Sequence, residues 1–169
     1  MKKFELTNEF VTNMFGTKLF RIRALVEFGD VEAGELGGYV EKESNLGHDD
    51  NAWVYDNARV YGNARVYGDA QVSGDALVYG NARVCGNGDY AYAHGFGSVN
   101  RTTTFFRLKD GGVGVRCGCF YGTLAQFRDK IRETHGETKK AQEYLMLADL
   151  MELRFEEDEN EVGNRKYVE

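Results

Sequence analysis

Residues 57–84 read NARVYGNARVYGDAQVSGDALVYGNARV, and every sixth position returns to the same kind of residue. Extended one unit to each side, residues 51–86 divide without insertion into NAWVYD, NARVYG, NARVYG, DAQVSG, DALVYG and NARVCG. A period of six matches neither a helix stripe, which recurs at 3.6, nor a plain hairpin array, which alternates at 2 over longer spans. It suits a short strand followed by a corner. Val54, Val60, Val66, Val72, Val78 and Val84 share parity with the Ala two residues before each, so a pleated segment turns both to one face, the inside. Asn or Asp beside Gly then turns the chain.

These hexads resemble the hexapeptide repeat of left-handed parallel β-helices, in which three hexads form one coil. The resemblance implies an 18-residue coil that stacks Val54 on Val72, Val60 on Val78 and Val66 on Val84, with Tyr61 on Tyr79, Arg65 on Arg83 and Asn63 on Asn81 outside. Tyr stands where that family usually carries a small or acidic residue, so the fold carries over rather than the activity of its acyltransferases. Two regular coils bury too few side chains to offset the entropy of ordering them, so caps or partners are expected.

Outward from the repeat, LFRIRALV at residues 19–26 alternates Phe20, Ile22, Ala24 and Val26 against Leu19, Arg21 and Arg23, as a strand with one covered face does. Val40 and Leu46, six apart, imply an irregular first coil, broken by a two-residue insertion before Asn51. A degenerate third coil is expected through Tyr90 and Phe96. TTTFFRL and VGVRCGCF flank KDGG, a hairpin signal. Thr123 and Gln126 form a capping box, Leu124, Phe127, Ile131 and His135 share a helix stripe, and Gly136 stops it. A second helix, from about Thr138 to Phe155, is apolar on most sides, which calls for cover by another subunit.

The expected architecture is mainly β. It has an N-terminal β cap and irregular first coil over residues 1–50, a short left-handed parallel β-helix over 51–100, a β-hairpin plus two α-helices over 101–155, and an acidic tail over 156–169. The stretches IRALVEFGDVEAGELGGYVEKESNL and TFFRLKDGGVGVRCGCFYGTLAQFRDKIRETHG are also similar to small phage and prophage proteins that join a hexapeptide β-helix to a ββαα tail.

Composition narrows the function. The 169 residues hold no Pro but 21 Gly, 10 Tyr and 11 Phe, and the formal charge is -6, with the tail from Glu156 acidic. Spread evenly, that charge would argue against nucleic acid as the partner, but residues 101–155 are mildly basic; nucleic acid is still the less expected partner. Three Cys and the absence of an apolar leader or span fit a cytoplasmic protein, the host cytoplasm if phage-encoded.

Catalysis and metal binding find little support. Of His48, His94 and His135 only His94 lies where an acyltransferase-like base at a subunit interface could, and such a base also needs an orienting partner and a cofactor groove, which those enzymes build from more coils than this chain supplies. Cys117 and Cys119 are too close for ordinary zinc spacing and read as inert thiols on one strand face; Gly86-Asn-Gly88 lacks a phosphate-loop context. No cofactor and no metal are expected. The candidate binding surface is the aromatic and Arg exterior: Trp53, Tyr55, Arg59, Tyr61, Arg65, Tyr67, Tyr79 and Arg83. The expectation is a non-enzymatic, oligomeric (trimer or dimer) phage-type binding protein, inhibiting a host defence factor or sequestering a nucleotide signal. An interfacial acyltransferase and a purely structural spacer are the alternatives.

Overall fold

The computed structural model describes residues 1–156; the acidic tail beyond Glu156 lies outside the described residues. The chain opens with an antiparallel hairpin of β1 (Phe4–Thr12) and β2 (Lys18–Ala24), and β2 pairs antiparallel with β3 (Leu36–Val40). Six two-residue strands follow: β4 (Trp53–Val54), β5 (Arg59–Val60), β6 (Arg65–Val66), β7 (Gln71–Val72), β8 (Leu77–Val78) and β9 (Arg83–Val84). They pair in parallel as β4 with β7, β5 with β8 and β6 with β9, with Val54 opposite Val72, Val60 opposite Val78 and Val66 opposite Val84. These are the steps of 18 residues that the resemblance implies. The chain is a β-solenoid repeat protein, and all six Val and all six Ala of the hexads are buried.

The irregular first coil is present. Val40 pairs with Val60 and Leu46 bridges to Val66, both at a step of 20, so the two extra residues fall between Leu46 and Ala52. Because β3 is at once the parallel neighbour of β5 and the antiparallel neighbour of β2, one solenoid face continues into a five-stranded sheet, β1-β2-β3-β5-β8. The paired glycines of LGGYV are needed there: a Cβ on Gly37 would stand 2.5 Å from the Val54 carbonyl oxygen, and one on Gly38 2.6 Å from that of Ala58. Only hydrogens let the backbones approach so closely.

The other end differs from the expected third coil. Tyr90–Phe96 is a full strand, β10, paired antiparallel with β11 (Arg101–Arg107), which continues to β12 (Val113–Cys117) and β13 (Phe120–Thr123). The next coil is replaced by side chains that finish each ladder of the last one. Asn87 Oδ1 accepts from the Gln71 N–H, Thr104 Oγ1 from that of Leu77 and an Asp89 carboxylate oxygen from that of Cys85. An open strand edge invites pairing with other chains, and these contacts close it. Phe96, the other expected coil position, lies in β10 and packs toward the helices.

VGVRCGCF is likewise not one strand. Gly118, at φ +58°, reverses the chain, so Cys117 ends β12 while Cys119 stands exposed in the turn; the two thiols do not share a strand face, and Cys119 is not buried. Thr123 caps α1 (Leu124–His135) in the expected box with Gln126, and Thr138 caps α2 (Lys139–Phe155).

Two cores result. Trp53, the Val and Ala ladders, Phe4, Ile22 and Phe106 form the solenoid core, and Phe105, Val115, Phe127, Ile131, Tyr144, Ala148 and Phe155 form the sheet-on-helix core. Phe105 and Phe106 are neighbours in β11 and point to opposite faces, so one strand serves as a wall of both. Among the described residues no helix is long and apolar enough to cross a membrane.

Candidate functional site

The expected exterior of Tyr and Arg does not form one surface, because each solenoid face receives a different covering. Trp53 is fully buried, lodged edge-on between Phe28 (5.3 Å between ring centroids) and Phe4 (6.3 Å), under the N-terminal hairpin. Tyr61 is also buried, against Leu19 and Tyr39, with its ring 4.6 Å from that of Tyr79. Burial raises the Tyr61 phenol above its ordinary pKa, against the pull of the Arg116 guanidinium. Tyr79 lies edge-on to Tyr121 and beneath Arg116. These two faces were expected to be open because sequence periodicity says which side of a strand is outside, not what folds over it.

Tyr55 lines a shallow groove with Gln71, Ser73, Tyr90, Tyr92 and Arg154. Its walls are held by the Tyr90 hydroxyl, which donates to the Gln71 carbonyl oxygen (2.5 Å), and by Arg154, which donates to those of Asn87 and Tyr90. Tyr67 stands beside Cys85, and burial first, then that thiol, raises its pKa. Arg59 lies opposite Leu77 on the β5–β8 face.

Of the eight candidates, Arg65 and Arg83 are brought together with further cations. They are register partners across β6 and β9, and they line a groove of about 600 Å³ with Lys42, Ser44, Asn63, Ala64, Asn81 and Lys109. The lining carries four cations and no carboxylate. Asp110, next to Lys109, turns into its own loop and accepts from the Gly112 N–H. The Arg83 guanidinium is held by the carbonyl oxygens of Asn63 and Ala82, each at 2.9 Å, and Lys42 Nζ lies 3.4 Å from Asn63 Oδ1. Such a surface can hold an anion by charge-assisted hydrogen bonds.

Lys42 and Lys109 escaped the sequence reading. Lys42 was within reach, since the 20-residue offset of the first coil sets it beside Gly62 and Asn63. Lys109 has no such signal: it arrives on the hairpin turn, whose N–H donates to the Asn81 carbonyl oxygen. His94 lies exposed on β10, 2.8 Å from Thr102 Oγ1. No cluster of three or more His, Cys, Asp or Glu among the described residues could hold a metal ion.

A family model described as "YdcK Beta solenoid repeat" matches residues 52–68, 58–74 and 70–86, so the repeat region is similar to that solenoid over three overlapping units. No curated protein matches the chain.

Proposed function

We propose that the protein is a non-enzymatic binding protein of the phage type, built on a left-handed hexapeptide β-helix and working as a homo-oligomer in the host cytoplasm. Its working surface is the groove of Lys42, Arg65, Arg83 and Lys109, which holds an anionic partner: a nucleotide signal or an acidic patch on a host defence factor. One observation carries this reading. The cations come from the cap, the repeat and the C-terminal hairpin, so three separate segments converge on one sign of charge. The two-residue strands and 18-residue steps support the hexapeptide type, and the segments flanking the repeat support the phage origin. For the oligomer, Met146, Leu150 and Leu153 stand exposed at i, i+4 and i+7 along α2, an apolar stripe that a second copy would cover.

The test compares the wild-type chain with an Arg65→Gln, Arg83→Gln variant. Host proteins and extracted small anions retained by each are identified by mass spectrometry. A partner held by the wild type and lost from the variant is the expected result; identical retention by both sinks the proposal.

A further inference from the structure

The groove has an order as well as a charge. Lys42 and Ser44 belong to the irregular first coil, Asn63 and Arg65 to the next, Asn81 and Arg83 to the last, and Lys109 to the turn that caps it. The cations therefore lie in a row along the solenoid axis. Successive levels are separated by the inter-strand spacing of about 4.8 Å, so the row spans roughly 14 Å.

Copying of the repeat does not account for the row. The other two faces open on Asn51 with Trp53 and on Asn57 with Arg59, and their second coil carries Asp69 with Gln71 and Asp75 with Leu77, whereas this face keeps Asn and Arg in both. Lys42 and Lys109, at the two ends, lie outside the repeat altogether.

Several cations elsewhere are matched to carboxylates: Lys2 to Glu43, Arg23 to Glu5, and Arg128 to Asp149 and Glu152. Among the described residues none of Lys42, Arg65, Arg83 and Lys109 makes an ion pair. Aligning like charges costs free energy that an elongated anion would return.

We infer that the groove takes a linear chain of phosphates, laid along the row from Lys42 to Lys109; the inference rests on the groove being the working surface. A single phosphate is too small to meet all four cations, and a row matches a chain of charges at regular intervals. A nucleic acid strand is the poorer occupant, since such strands bind on stacking aromatic rings and the lining has none. The shared chemistry is the phosphate chain, whether free or the tail of a nucleoside polyphosphate.

The test is titration calorimetry of the full chain with inorganic tetraphosphate, orthophosphate, ATP and a thymidine oligomer at several salt concentrations. Tetraphosphate should bind at least about tenfold more tightly than orthophosphate. Lys42→Gln and Lys109→Gln, both at exposed positions, should each weaken it roughly three- to tenfold and lower the salt slope by about one, while Lys130→Gln on α1 changes nothing. ATP binding more tightly than tetraphosphate assigns the chain to a nucleotide tail, and the reverse order to a free oligophosphate. Equal affinity for orthophosphate and tetraphosphate overturns the inference. So does indifference to Lys42→Gln and Lys109→Gln, or preference for the oligomer. If partner capture is lost in the Arg65→Gln, Arg83→Gln variant while no phosphate compound binds the wild type, this inference falls and the groove's binding role stands.

Discussion

Arg65 and Arg83 face each other as register partners across the β6–β9 ladder, with no carboxylate in the lining of the groove around them. Like charges directly opposite on paired strands are unfavourable by about 0.2–1 kcal/mol. Arg65→Gln, at the more exposed of the two positions, should therefore raise the melting temperature by a degree or more at low salt, and the gain should shrink at high salt as the repulsion is screened. Thermal melts at two ionic strengths check this; a lower melting temperature for the variant at low salt would contradict it.

Trp53 ties the N-terminal hairpin to the solenoid. It is fully buried against Phe4 and Phe28, and Lys3 at its side places Nζ 2.7 Å from the Ala52 carbonyl oxygen and 3.1 Å from Asp50 Oδ1. Trp53→Ala should cost about 3–5 kcal/mol, measured as a shift in urea midpoint. Because this is the one Trp of the chain, its native emission should be that of an apolar site and should move to the red as the cap opens.

Alkaline stability should depend on Tyr144. Burial first, then the Cys117 thiol at its hydroxyl, pushes this phenol up to about 12. An unfolded Tyr ionises near pH 10, so the group's contribution is fully present below pH 10 and is lost as pH rises toward about 12. Lys3, held below its ordinary 10.5 by burial, acts with the opposite sign, its contribution growing as pH climbs to that value. Urea denaturation at pH 8, 10 and 11.5 should show a shallower alkaline loss for Tyr144→Phe than for the wild type; parallel curves would remove Tyr144 from the account.

The exposed stripe of α2 predicts self-association. Replacing Leu150 and Leu153 by Glu should shift light-scattering mass from oligomer to monomer while leaving helix content unchanged, because both side chains point away from the Ala148 and Met151 side of the helix that meets the sheet. A wild-type chain that is monomeric at all concentrations tested would count against the stripe as an interface.

The solenoid was legible because its constraint is local and repeated. Val and Ala must face inward at every sixth step, and even the two-residue offset of the first coil could be read from Val40 and Leu46. What the sequence could not yield is contact across long separations. Leu19 was expected on the open side of its strand, yet it is buried, because Tyr39 and Tyr61 meet it there. Tyr90 kept the six-residue phase after Val84, but its hydroxyl bonds to Gln71 while its backbone turns away into an antiparallel sheet. Lys109 reaches the groove only because β11 crosses the end of the last coil, where Ala82 bridges to Leu108. The first helix was plain from its capping box, in which Thr123 acts on a backbone N–H three residues away, and the second from its apolar run, which Thr138 caps in the same way.

The stacking of identical units makes the cation row a ruler. A duplication of residues 63–80 would insert one more coil with its own Asn-Ala-Arg on the same side, lengthening the row by one charge and one strand spacing while the cap and the hairpin kept their seats at either end. In a lineage of such chains, the reach of the anion accepted would be set by coil count, and a change in ligand length would need no new residue type.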